Sequence, residues 1–219
     1  MVILGIETSC DETAVAVIDI GSPSTSSGDI RVKVLSNIVS SQAKLHAKFG
    51  GVVPNLAKRE HQKNLVPVLL QALSGAGLRE LRIKNKELRK RLSAKPRDSK
   101  LLILNSILER EPELFARVRE HILPMKPPKI DAVAVTVGPG LAPALWVGVN
   151  FARSLACLWK KPIIPVNHLE GHIITNLLPQ TASSKWRVGY RRAISHKLLA
   201  VRFPALCLIV SGGHTELVL

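Results

Sequence analysis

Hydrophobic positions along this chain fall into blocks of two periods. Residues 2–6 are apolar, the polar run Glu7-Thr8-Ser9-Cys10-Asp11-Glu12-Thr13 interrupts them, and Ala14-Val15-Ala16-Val17-Ile18-Asp19 resumes. Two apolar runs around a short polar turn predict a β-hairpin that opens the domain. Gly21 to Asp29 is rich in Ser, Gly and Pro and reads as a loop. Ile30 to Ser40 predicts a third strand, with alternation through Val32, Val34 and Asn37. The Gly50-Gly51 pair ends the segment before it. From Pro54 to Leu73, Leu56, Leu65, Val68, Leu69 and Ala72 recur at helical spacing and predict a long amphipathic helix. His61 lies within it, and a lone histidine there reads as a surface residue or a satisfied neighbour.

A second, mixed-charge helical stretch is expected from Leu101 to Leu123, closed by Pro124, Pro127 and Pro128. Ile130 to Val137 is almost wholly apolar and β-branched, the composition of a strand covered on both faces. It runs into Gly138-Pro139-Gly140, after which Leu141 to Trp159 has helical spacing through Leu145, Val149, Ala152 and Ala156. Strand, glycine turn and helix can offer a helix N-terminus to an anion. Equally, the glycines can serve only close strand–helix packing. No Gly-Lys-Ser/Thr follows, so this is not a P-loop. Ile163 to Val166 is a short strand leading into a further helix. Ala205 to Val210 reads as another buried strand, and Glu216-Leu217-Val218-Leu219 starts a returning one. A chain that stops midway through a hairpin leaves an unpaired edge, so truncation is expected.

Composition narrows the class. Of 219 residues, 46% are hydrophobic but only 4% aromatic, so the core must be aliphatic. Lys and Arg number 31 against 16 Asp and Glu, a net charge of +15 that suits an anionic partner such as nucleic acid. Much of the excess sits in two segments. Residues 79–100 hold ten basic and three acidic side chains, and residues 180–203 hold six basic and no acidic ones. Both read as basic insertions, the first extending to about residue 129; each is either a phosphate-contacting surface or a solvated face. Cys10, Cys157 and Cys207 are far apart and form no CxxC pair, which suggests free thiols in a reducing compartment. No apolar run approaches a membrane span, and the N-terminus has no basic start of a secretion signal. A cytoplasmic protein without membrane contact is the expectation.

The candidate chemistry centres on Asn167-His168-Leu169-Glu170-Gly171-His172. On a helix, His168 and His172 lie one turn apart on one face, with Asn167 as the cap. Two imidazoles so placed can reach one metal ion; the alternative is an exposed helix face. The order is not that of a zinc protease, where His-Glu-x-x-His sets the carboxylate beside the first histidine. The Thr8–Thr13 turn can hold a phosphate through hydroxyls and backbone N–H groups, hold a cation through Asp11 and Glu12, or be an ordinary polar loop.

Five stretches stand in one order: Gly5-Ile6-Glu7-Thr8-Ser9-Cys10-Asp11-Glu12-Thr13, Leu45-His46 through Gly51-Val52-Val53-Pro54, Gly138-Pro139-Gly140-Leu141, His168-Leu169-Glu170-Gly171-His172, and Ser211-Gly212-Gly213-His214-Thr215. Together they resemble the tRNA N6-adenosine threonylcarbamoyltransferase family, formerly labelled O-sialoglycoprotein endopeptidase. The resemblance covers most of residues 1–73, 130–178 and 204–219. It implies an α/β fold: a ribonuclease-H-like subdomain of the actin-like ATPase and sugar-kinase superfamily, with a helical insertion. Residues 1–203 would form that N-terminal subdomain, and 204–219 the first strands of a second. It also implies transfer of a threonylcarbamoyl group from threonylcarbamoyl-AMP to the exocyclic amine of adenosine 37 of tRNA, aided by accessory proteins. His168 and His172 would hold one divalent metal, iron ahead of zinc, with a third protein ligand beyond Leu219. Ile209, Val210, Ser211, Gly212 and Gly213 would grip the acyl-adenylate, and Asp11 and Glu12 would face the reacting centre. Without the third ligand the chain alone is expected to be an inactive fragment. A metallopeptidase and a non-catalytic scaffold of the same fold are the alternatives.

Overall fold

The computed structural model describes residues 1–22, 31–78, 99–177, 194–197, 207–210 and 215–218. Its centre is a mixed sheet built from β1 (Val2–Glu7), β2 (Glu12–Ile20), β3 (Arg31–Ser41), β4 (Ala132–Gly138), β5 (Ile163–Asn167) and β6 (Ile194–Lys197). Across the sheet the order is β5-β4-β1-β2-β3-β6. The opening hairpin predicted from the sequence is β1 paired antiparallel with β2, Glu7 opposite Ala14 and Val2 opposite Asp19. β3 extends the meander. β4 then pairs parallel with β1, and β5 parallel with β4. This α/β arrangement is the one the resemblance implies.

In β3 the expected alternation through Val32, Val34 and Asn37 slips by one residue. Val17 faces Ser36 while its neighbour Ile18 faces Val34, so Leu35 is the extra residue of a β-bulge. That is why the apolar residue Val34 and the polar residue Asn37 do not share the parity an unbroken strand requires.

Two long helices cover one face. α2 (Pro54–Gly75) follows the short helix α1 (Ala43–His46) and a 3-10 turn, Ala47–Phe49, closed by left-handed Gly50. α5 (Ala142–Trp159) follows β4. Leu65, Leu69 and Leu73 of α2 and Phe151 and Leu155 of α5 cluster with Leu4, Ile6, Val15, Val17, Val133 and Val135 of the sheet. Phe151 apart, these are aliphatic contacts, as the scarcity of aromatics leads one to expect; burying each such side chain contributes roughly 1.5–3 kcal/mol.

The segment expected as one helix over Leu101–Leu123 is broken. It forms α3 (Ser99–Ile107), α4 (Pro112–Arg117) and a π turn, Val118–Ile122. Pro112 opens α4, where its missing N–H costs nothing. The stretch is not a solvated appendage, because Leu104, Leu108, Leu114, Val118 and Ile122 are all buried in the core. Glu111, 1% exposed, anchors it to the long helices, accepting from Asn150 Nδ2 at 3.2 Å with Lys58 Nζ at 4.0 Å. Part of the second basic segment also belongs to the fold: β6 pairs antiparallel with Arg31–Val34 of β3. The remaining residues of 180–203, the basic run 79–98 and the 23–29 part of the loop lie outside the described residues. β7 (Cys207–Val210) and β8 (Thr215–Val218) pair antiparallel as a two-stranded sheet of their own.

Candidate functional site

The parallel strands β1, β4 and β5 end at the same edge of the sheet. Ligands of open α/β sheets bind outside the carboxyl ends of such strands. There the chain places Glu7 at the end of β1, Thr136 near the end of β4, and His168 directly after β5. Strand β5 turns into α6 (His168–Leu177) without a loop. Asn167 makes that junction: its Oδ1 accepts from the backbone N–H groups of Leu169 (2.8 Å) and Glu170 (3.4 Å), the cap expected from the sequence.

The cap sets the first turn, and the first turn brings the histidines together. His168 Nε2 and His172 Nε2 lie 3.0 Å apart, with the rings edge to face and their centroids 4.5 Å apart. On its other side, His168 Nδ1 is 3.3 Å from Glu7 Oε2. A carboxylate oxygen only accepts, so Nδ1 carries a proton, and in the neutral ring Nε2 then presents its lone pair toward His172.

Glu7 is itself held. Thr136 Oγ1 donates to Oε2 and the Ser9 backbone N–H to Oε1, each at 2.5 Å. Burial alone would raise this carboxyl. Hydrogen bonds from Ser9 and Thr136 and the charge of His168 outweigh that and bring it below its ordinary value. Glu7 is therefore a fixed anion behind His168.

This donor set fits a metal ion. Two imidazole nitrogens bound at about 2.0–2.1 Å to one ion lie roughly 3 Å apart, and a ligating histidine characteristically donates its second N–H to a carboxylate. Among the described residues no group of three or more His, Cys, Asp or Glu side chains could close a metal site unaided. The pair supplies two donors and Glu7 orients one of them.

The polar turn after β1 is docked on α5. Thr8 Oγ1 donates to the Ala144 carbonyl at 3.0 Å, and the Leu141 N–H donates to the Ser9 carbonyl at 2.7 Å. Glycine is required here by contact: a Cβ on Gly140 would lie 2.6 Å from the Ser9 carbonyl oxygen, and one on Gly148 would lie 2.2 Å from Thr8 Oγ1. Close packing, one of the two readings the sequence left open for Gly138-Pro139-Gly140, therefore holds at Gly140, whereas nothing lies within 4 Å of a Cβ on Gly138. Asp11 is half-buried, with its carbonyl accepting from the Gln42 N–H at 2.9 Å, and Glu12 is exposed at the start of β2. Ile209 and Val210 lie on β7, opposite Glu216 and Thr215. Ser211, Gly212 and Gly213 lie outside the described residues.

Sequence reasoning missed Glu7 and Thr136; of its two readings of His61, surface residue or satisfied neighbour, the structure shows the second, a ring 0% exposed and bonded to Thr13 and the Cys10 carbonyl. Glu7 carried a usable signal: alternation sets it on the face of Gly5, an ionisable side chain at the carboxyl end of an apolar strand. On that face Gly5, Glu7, Ala14, Ala16, Asn37 and Thr136 line a shallow open trough.

Comparison with known proteins points to one family. The family model for tRNA N6-adenosine threonylcarbamoyltransferase (TsaD) matches residues 33–85 and 121–185. A protein of that name from Thermomicrobium roseum is 42% identical over 219 residues, covering 100% of this chain and 41% of its own length. One from Koribacter versatilis is 40% identical over 218 residues, covering 100% of this chain and 39% of its own. The chain thus spans about two fifths of the length of the curated relatives it matches. Among solved structures, YeaZ from Pseudomonas aeruginosa aligns with a TM-score of 0.39 at 13% identity, covering 100% of this chain and 66% of that one. Neither the metallopeptidase nor the scaffold reading is favoured by these matches. Since the family model accounts for more than half of its residues, the chain belongs to the tRNA N6-adenosine threonylcarbamoyltransferase family.

Proposed function

We propose that this chain forms part of the enzyme that transfers the threonylcarbamoyl group from threonylcarbamoyl-AMP to the exocyclic amine of an adenosine in tRNA. The observation that carries the reading is the His168–His172 pair, backed by the Glu7 carboxylate at the carboxyl edge of a sheet in a chain of this family. His168 and His172 would hold one divalent metal, iron ahead of zinc, with a third protein ligand from outside residues 1–219. When bound, such an ion supplies Lewis acidity and a point of attachment for substrate.

The chain's own residues do the rest. Glu7 holds His168 in the tautomer whose Nε2 is free to bind. In the reaction the amine nitrogen bonds to the carbamoyl carbon, the bond from that carbon to the AMP phosphate oxygen breaks, and the nitrogen loses a proton. Asp11 and Glu12 face that centre from the first hairpin, where a carboxylate orients the amine or takes its proton. The turn after β7, from Ile209 and Val210 through Ser211, Gly212 and Gly213, grips the acyl-adenylate through backbone N–H groups. Residues 1–203 serve as the first subdomain and 204–219 as the opening strands of the second, a division supported by β7 and β8 pairing with each other. Accessory proteins and a cytoplasmic setting complete the proposal.

The test uses the longest form of the protein its gene encodes, assayed for transfer to a tRNA transcript and for bound metal. In His168→Ala and His172→Ala, metal content is expected to fall from about one ion per chain to near none, and transfer to be lost. Unchanged metal content in both variants would end the assignment.

A further inference from the structure

Beneath the turn that carries Asp11 and Glu12 lies a relay of buried polar side chains with one consistent set of protons. His61 Nε2 is 3.1 Å from the Cys10 carbonyl oxygen, which can only accept, so Nε2 bears the ring proton. Nδ1 must then accept, and it takes the Thr13 hydroxyl at 2.8 Å and the Gln42 amide at 3.4 Å. With its nitrogen donating there, Gln42 turns its oxygen to His46 Nε2 at 3.0 Å. His46 Nδ1 in turn accepts from the Val53 N–H at 3.3 Å. Tautomers and amide orientation follow from the network, and both rings come out neutral with the proton on Nε2.

All four side chains are enclosed: Thr13 and His61 are 0% exposed, Gln42 4% and His46 3%. A buried polar chain rigidifies only when each member is satisfied, and here each is. The two successive carbonyls of the turn are both held, Cys10 by the His61 ring and Asp11 by the Gln42 backbone N–H. The Cys10–Asp11 peptide plane therefore cannot rotate without breaking the relay. At its other end the relay reaches Val53, the residue before α2, just past the Gly50-Gly51 turn.

We propose that His61 and Gln42 are positioning residues that fix the direction in which Asp11 and Glu12 leave the sheet. They also couple that turn to the chain at Gly50–Val53. The proposal rests on the reading that Asp11 and Glu12 face the reacting centre. A misplacement of about 1 Å at such a centre costs on the order of 100-fold in rate. His61→Leu removes both ring nitrogens, whereas His61→Gln keeps an amide donor for the Cys10 carbonyl and an oxygen acceptor for Thr13.

The experiment uses the longest encoded form of the protein with threonylcarbamoyl-AMP and a tRNA transcript. His61→Leu is expected to lower kcat by roughly 10–100-fold with little change in KM, and His61→Gln to recover most of the loss. A folded His61→Leu protein with the parent kcat, or equal losses in the two variants, would overturn the proposal. Long-range proton–nitrogen NMR of the unsubstituted protein at neutral pH provides a readout independent of turnover. Protonated Nε2 and bare Nδ1 on both His61 and His46 are expected, and an imidazolium or an Nδ1–H form of either ring would refute the relay. Full transfer by Asp11→Ala and Glu12→Ala would overturn the positioning role and the roles of those two carboxylates, while the NMR outcome would still stand on its own.

Discussion

Glu7 keeps its charge in a place where burial opposes it, because Ser9, Thr136 and His168 all bond to it. Replacing it by Gln preserves shape but removes the anion that fixes His168. Losing such a partner typically weakens metal binding by about 10–100-fold. That is the expected result for Glu7→Gln, read by chelator competition with the circular dichroism unchanged; parent affinity would show that Glu7 does not serve the pair. His61 gives a pH prediction of opposite ionic sense. Burial lowers its pKa, with His46 adding to that, against the raising effects of the Cys10 carbonyl, Glu7 and Asp11. Below the ordinary value of 6.5 the unfolded chain takes up a proton that the folded one refuses, so stability falls as pH drops from 6.5 toward the lower folded value. The slope is at most about 1.4 kcal/mol per pH unit, and denaturant titrations of His61→Gln should show it flattened. Glu7 acts in a separate window: its stabilisation is present above 4.5 and is lost as pH falls through its depressed folded value. Spacing made the His168–His172 pair legible in the sequence. Alternation could place Glu7 at a strand end, but the partners of Glu7 and His61 were not legible, because they lie 161 and 51 residues away and no local pattern links them.

At the scale of elements the reading was better. The hairpin, β3, β4, β5 and the helices after Pro54, Gly140 and Asn167 were each visible as runs of one period with a turn signal at the end. The break at Pro112 was missed because Leu104, Leu108, Leu114, Val118 and Ile122 fall within an arc of about 120° at 100° per residue, a spacing that fits one continuous helix, so only the proline marked the interruption. The docking of α5 on the first turn depends on a glycine. Gly148→Ala would set a methyl carbon against Thr8 Oγ1, which is buried and bonded to Ala144. Overpacking of this kind costs about 1–3 kcal/mol. A thermal midpoint equal to the parent's would show that α5 can shift freely, contrary to the packing described.

For the molecule as a whole, net charge was the first functional signal, and its location still matters. The residues of 79–98 carry nine of the 31 basic side chains. A protein that neutralises phosphates loses affinity with salt at a log–log slope of roughly one per contact. Reversing the charges of Arg89, Lys90 and Arg91 in the longest encoded form should therefore weaken tRNA binding and flatten its salt slope, with metal content unaltered. Identical slopes would place the RNA elsewhere. Composition showed that charge excess, but it could not tell which basic residues belong to the fold. β6 and the helices after Ser99 do belong, because their backbone or apolar residues complete the sheet and core.

The trough beside Glu7 has one further consequence. At Gly140 and Gly148 an added methyl would strike the first turn, but at Gly5 it would meet the Ala16 carbonyl oxygen at 4.0 Å, an ordinary contact. Packing does not demand the smallness of Gly5, and alanine would suit an extended backbone better. Gly5, Ala14, Ala16 and Ala134 together make a smooth floor whose height the aliphatic core beneath does not set. A methyl can be added at Gly5 without striking that core, so the clearance beside Glu7 becomes a dimension that this one position adjusts.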